Sequence, residues 1–75
     1  MIFVVSLKTE SGDNYQFLQD VSSEEEMLSY VKECMGDELA YVCEYMASSL
    51  EVGGAVLEEL IRKEIATMQE DCFDV

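Results

Sequence analysis

Apolar and polar positions divide the chain into short blocks with different periods. Ile2 to Leu7 is a nearly unbroken apolar run with β-branched and aromatic character, which predicts a strand. Thr9-Glu10-Ser11-Gly12-Asp13-Asn14 is a cluster of turn formers, after which Tyr15, Phe17 and Leu18 restore strand chemistry up to Val21. Together the two runs predict an antiparallel β-hairpin. Ser22-Ser23-Glu24-Glu25-Glu26 then offers the Ser-x-x-Glu spacing twice, as Ser22 with Glu25 and as Ser23 with Glu26, and this spacing satisfies free amides at a helix start. Met27, Leu28, Val31, Cys34 and Met35 follow at intervals of three and four, as one buried helical face requires, and Gly36 is suited to ending the helix.

The segment Asp37 to Ser49 fits two patterns. Leu39, Val42, Cys43, Met46 and Leu50 match a helical stripe, whereas Tyr41-Val42-Cys43-Glu44-Tyr45 has strand composition. A third strand is favoured because a lone hairpin is marginal in water. Ser48-Ser49-Leu50-Glu51 also repeats the Ser-Ser-x-Glu pattern of the first helix and predicts a second helix start. That helix would carry Leu50, Leu57, Ile61, Ile65 and Met68 inward, with Gly53 and Gly54 near its first turn either weakening it or allowing close backbone approach. The expected fold is α+β: a small single domain over residues 1–75, in the order ββαβα, an antiparallel sheet with helices on one face. The order ββααα is the alternative. Residues 70–75 are expected to be a frayed acidic tail.

Composition separates this chain from a disordered acidic segment, because 49% of its residues are hydrophobic. A chain of 75 residues buries only about 60% of its extended surface, enough for one modest core. Charge changes the picture most. Seventeen Asp and Glu stand against four Lys and Arg, with no His, for a net charge of -13. Self-repulsion opposes compactness and specifies no fold, so such an imbalance informs on partners and solubility. No stretch reaches the roughly 18 apolar residues of a membrane span, and Met1 to Leu7 lacks the basic flank of a secretory signal. The expected location is cytoplasmic, that of the host cell if the chain is phage-encoded. Cys34, Cys43 and Cys72 form an odd set without Cys-x-x-Cys spacing and read as reduced thiols, the first two packed as small apolar residues and Cys72 exposed in the tail.

The absences bear on chemistry. Nucleophilic triads, imidazole acid–base work and most zinc sites need a His that the chain does not have. Paired carboxylates such as Glu58 with Glu59 would need a dry cleft to raise a pKa, and one small core offers little depth for it. Gly53-Gly54 lacks the Lys and remaining glycines of a phosphate loop, and Ser11-Gly12-Asp13-Asn14 has too few ligands for a calcium loop. The chain is expected to be no enzyme and to use no cofactor and no metal. With only Lys8, Lys32, Arg62 and Lys63, it is expected not to bind nucleic acid directly.

A folded surface dense in carboxylates can instead present charge as a phosphate backbone does, since residues four apart on a helix stand about 6 Å apart along its axis. Glu26 and Glu33 share a face of the first helix, Glu51, Glu58 and Glu59 form a second row, and Asp37, Glu38 and Glu44 extend either. These eight residues are the expected partner-binding face, and Tyr15, Tyr30, Tyr41 and Tyr45 are candidate aromatic anchors. Each acid also has a local role to weigh. Glu24 to Glu26 suit the positive end of a helix dipole, and Glu58 and Glu59 stand four residues before Arg62 and Lys63. Core or sheet packing is the ordinary use of a Tyr. The four basic residues nevertheless leave a large unpaired remainder.

With its Ile2-Phe3-Val4-Val5 strand, short hairpin, Ser-Ser-Glu-Glu-Glu helix start and strong acidity, the chain resembles, as a class, the small inhibitors encoded by bacteriophages. These include anti-CRISPR proteins and DNA mimics. The resemblance spans the whole chain loosely, rests on no diagnostic motif and transfers no residue. It implies a stoichiometric inhibitor whose partner is a basic, nucleic-acid-binding host protein or nucleoprotein complex, blocked by occupancy. The alternatives are an acidic protein–protein interaction or dimerisation module, a homodimer included, and adaptation to high salt. Five Met, three Cys and ample large apolar residues weigh against the last.

Overall fold

The structure is a computed structural model that describes residues 1–51 and 53–73. Its elements run β1 (Ile2–Thr9), β2 (Asn14–Asp20), α1 (Glu24–Met35), a 3-10 helix (Gly36–Tyr41), β3 (Val42–Ser49) and α2 (Ala55–Phe73). This is the ββαβα order, not ββααα, with a three-stranded antiparallel sheet in the order β2-β1-β3.

The apolar run of β1 resolves into an alternation. Phe3, Val5 and Leu7 are buried, while Ile2, Val4 and Ser6 point to the opposite face. β1 and β2 pair in regular register from Ile2 with Asp20 to Lys8 with Asn14, and Gly12 takes a positive φ in the turn between them. β3 pairs on the other side of β1, and the register shifts between Lys8, opposite Glu44, and Thr9, opposite Val42. Cys43 is the extra residue at that shift and is exposed, contrary to the expectation that it packs inside. Cys34 is exposed as well, because the buried line of α1 is Met27, Val31 and Met35 at strict intervals of four and Cys34 falls beside it.

Both helices pack on one face of the sheet. Met27, Val31 and Met35 of α1, Leu39 of the 3-10 helix and Leu57, Ile61 and Ile65 of α2 close one core over Phe3, Val5 and Leu7. Gly36 ends α1 with a positive φ and donates its N–H to the Lys32 carbonyl. Gln69 Nε2 donates to the Ala40 carbonyl at 3.0 Å and ties the second half of α2 to the 3-10 helix.

The second helix start departs from expectation. Ser48 and Ser49 remain in β3, opposite Val4 and Phe3, so their resemblance to the first helix start is not used. Leu50 lies before the helix and is 88% exposed, not inward. The chain turns through Gly53, at φ +71°, and α2 begins at Ala55. Gly54 allows the close approach: a Cβ there would lie 2.7 Å from Ser48 N and nearer still to the Ala47 carbonyl. The expected tail is helical through Phe73, because α2 continues along the apolar stripe to Met68 and one turn beyond. Residues 74–75 and the Cys72 side chain lie outside the described residues. Among the described residues no helix is long and apolar enough to cross a membrane.

Candidate partner-binding surface

Local capping fixes the first carboxylates. Ser23 is the N-cap of α1 and its hydroxyl accepts from Glu26 N at 3.2 Å. In return the Glu26 carboxylate accepts from the Ser22 backbone N–H and from the Ser22 hydroxyl, each at 2.7 Å. These two bonds, the backbone one foremost, hold the Glu26 carboxyl below the usual glutamate range. It stays ionised and exposed.

Positions 26, 30 and 33 form one stripe of α1, four and then three residues apart. The ring of Tyr30 meets Phe17 of β2 edge to face, with centroids 6.0 Å apart, so this stripe borders β2 and brings Glu26 and Glu33 to that side. Lys32 lies on the other flank, where it meets Glu64 of α2 at 3.0 Å. The Tyr30 hydroxyl is pushed above the usual phenol range, chiefly by the Cys34 thiol beside it.

The 3-10 helix extends this side. Asp37 and Glu38 are exposed, and the Tyr15 hydroxyl of β2 donates to Glu38 Oε2 at 2.7 Å. That bond, more than desolvation, raises the Tyr15 phenol. Next to it lies a shallow depression lined by Thr9, Glu10, Ser11, Asp13, Glu38 and Tyr41. Among the four candidate anchors Tyr41 is the exposed one, at 49%, whereas Tyr15, Tyr30 and Tyr45 are half-buried against the core. Glu10 and Asp13 were absent from the sequence-based face. Their position on either side of Gly12, at the tip of the hairpin, was the available signal.

The eight expected acids do not make one surface. Glu26, Glu33 and Glu38 lie along the β2 side of the helical layer, and Asp37 is exposed next to Glu38 in the 3-10 helix. Glu44 is on the open face of the sheet, opposite Lys8 and 4.0 Å from its Nζ. Glu51 follows β3 and is exposed. Glu58 turns toward β3, where its carboxylate accepts the Ala47 backbone N–H at 3.0 Å. Its position next to buried Leu57 puts it on the flank of α2 that meets the strand. Glu59 is held by Arg62, three residues on, by a two-nitrogen fork that keeps its carboxyl below the usual range. The second row foreseen on α2 is thus divided between an edge contact and a local ion pair.

No acidic side chain is buried among the described residues. The ion pairs that Lys8, Lys32 and Arg62 make with acids involve Glu44, Glu64 and Glu59, and among the described residues no Lys or Arg stands within ion-pair distance of Glu26, Glu33, Asp37, Glu38, Glu10 or Asp13. The opposite face of the sheet is of another kind. Ile2, Leu18 and Met46 are exposed there, beside Val4, Ser6, Gln16, Lys8 and Glu44. Among the described residues no group of three or more Cys, Asp or Glu is placed to hold a metal ion. Comparison of the chain with protein-family models, curated proteins and solved structures found no match.

Proposed function

We propose that this chain is a stoichiometric inhibitor that acts in the cytoplasm of a host cell by covering a basic, nucleic-acid-binding surface of a partner protein. The observation that carries this reading is the β2 side of the molecule. There Glu26, Glu33, Asp37 and Glu38, with Glu10 and Asp13 across the hairpin turn, stand exposed without a Lys or Arg within ion-pair distance among the described residues; the Met1 ammonium acts on Glu26, and Tyr41 borders the depression that Glu10, Asp13 and Glu38 share. Unneutralised carboxylates steer a basic partner and speed encounter, while a partly exposed Tyr supplies an anchor with apolar area and one polar atom. Inhibition then needs no reaction, only occupancy of the surface that would hold phosphates. The class of phage-encoded anti-CRISPR and DNA-mimic inhibitors would contain such a protein.

A second reading, a protein–protein module whose acidity serves solubility, has one observation in its favour. Ile2, Leu18 and Met46 are exposed apolar side chains on the open sheet face, which holds Asp20 and Glu44 but not the carboxylates of the helical side. Capture from a bacterial lysate at low and high salt, with and without competing DNA, separates the two. Recovery of a nucleic-acid-binding protein that DNA displaces is expected. Recovery only of partners indifferent to DNA and salt would overturn the inhibitor and favour the module.

A further inference from the structure

The two outer edges of the sheet are treated differently. On β3 the edge is blocked at Ala47, because Gly54 lies against the Ala47 carbonyl and Glu58 takes the Ala47 N–H. The Ala47 backbone therefore points away from β1, and in an antiparallel ladder Val5, its partner, must turn its own backbone toward β2. Odd-numbered residues of β2 then point inward. Two flanking bonds agree: Val21 N donates to the Met1 carbonyl at 2.9 Å and Thr9 N to the Asp13 carbonyl at 3.0 Å. The N–H and C=O groups of Asn14, Gln16 and Leu18 are thus directed outward, and among the described residues none of them has a hydrogen-bond partner there. β2 has few of the usual protections of an edge: no Pro, no Lys and no bulge over its seven residues, and a charge only at its last residue, Asp20.

We propose that this free edge of β2 accepts an extended, lysine- or arginine-bearing segment of the partner as a fourth strand. The inference rests on the reading above that the partner is basic. Charge selects the occupant. Residues 14–19 are uncharged, so a strand can approach, while Glu26, Glu33 and Glu38 run beside β2 on the helical side and Asp13 and Asp20 stand at its ends. Glu26 and Glu33 are about 10 Å apart along the helix. Every second side chain of a strand lies on the same face, so cationic residues at alternate positions of the incoming segment all face the side that carries this row. A second copy fits worse, since antiparallel pairing of two β2 strands would set two chains of net charge -13 side by side.

The test uses the full chain and a decapeptide of alternating Lys and Thr, with a twin N-methylated at every residue that keeps the charge but has no backbone N–H to donate across a strand pair. The expected result at low salt is binding of the first peptide and roughly tenfold or weaker binding of the twin. Gln16→Pro should weaken the first peptide similarly, because the Gln16 N–H is outward and its loss removes no bond to β1. Should that variant unfold, amide exchange on the native chain decides. Gln16 and Leu18 should exchange fast alone and become protected with peptide, while Phe17 and Gln19 are protected throughout. Equal binding of the two peptides, or unchanged exchange at Gln16 and Leu18, would overturn strand addition and leave the basic-partner reading standing. Failure of both peptides to bind would overturn that reading too. A dimer in sedimentation that Gln16→Pro dissolves would overturn the proposal in favour of a second copy.

Discussion

Replacing Gly54 by Ala tests the contact that blocks the β3 edge at Ala47. In an open site this change stabilises by about 0.4–1 kcal/mol, because the unfolded chain loses freedom. Here the added methyl would meet the Ala47 carbonyl and lie 2.7 Å from Ser48 N, and both obstacles are backbone, which cannot rotate away. The start of α2 must retreat, at an overpacking cost of about 1–3 kcal/mol. The same retreat stretches the bond from Ala47 N to Glu58, and a bond to a charged group is worth about 1.5–3 kcal/mol. A total near 3 kcal/mol is a large part of the roughly 4–11 kcal/mol expected for a chain this long. It corresponds to a fall in Tm of about 12–24 °C. Gly53→Ala is the control. Its φ of +71° costs about 1–2 kcal/mol, but nothing lies within 4 Å of its added Cβ. Thermal unfolding by circular dichroism reads both variants, and amide exchange at Ala47 should accelerate in Gly54→Ala only. A Gly54→Ala variant as stable as the parent, or more so, would refute the close approach.

Three other outcomes follow from the packing and the caps. Leu57→Ala should cost about 2–5 kcal/mol, while Leu50→Ser should change stability by less than about 0.5 kcal/mol; comparable losses in urea unfolding would show that Leu50 is buried after all. Cys34 and Cys43 should both react with a thiol reagent at the rate of an open thiol without denaturant, and slow reaction of either would contradict its exposure. Glu26→Gln should be less stable than the parent at neutral pH. The Glu26 carboxyl is lowered in the fold, so its contribution is present above the ordinary glutamate value and is lost as pH falls through the lowered one. The Tm difference should therefore close in acid, and a constant difference down to strongly acid pH would show that the Ser22 bonds do not act through charge.

The parts legible in the sequence were those fixed by local rules. The hairpin followed from two apolar runs around Gly12, and the start and end of α1 followed from Ser23 and Gly36, each of which the structure uses as a cap. The third strand, which the composition of 41–45 left open against a helix, was favoured because a lone hairpin is marginal in water, and the structure has β3 at Val42–Ser49. What failed were features decided by tertiary contact. Ser48-Ser49 carries the same cap signal as Ser22-Ser23, yet pairing with Val4 and Phe3 outweighs it and moves the helix start past Gly54. Cys43 looked like a core residue until one shift of register turned it outward. The acidic surface was legible as a quantity of charge but not as a place. Glu58 and Glu59 are equivalent on paper, and only the proximity of β3 and of Arg62 assigns them to an edge and an ion pair. Glu10 and Asp13 became part of the surface because the hairpin tip folds next to Glu38 and Tyr41.

The most direct measurement is displacement of labelled DNA from the captured partner by increasing amounts of this chain. The expected result is stoichiometric release of the DNA, weakened by salt and abolished when Glu26, Glu33, Asp37 and Glu38 are all replaced by Lys in a chain that still folds. A stable complex in which the partner holds DNA and this chain together, or release that the fourfold replacement leaves unchanged, would contradict inhibition by charge-based occupancy.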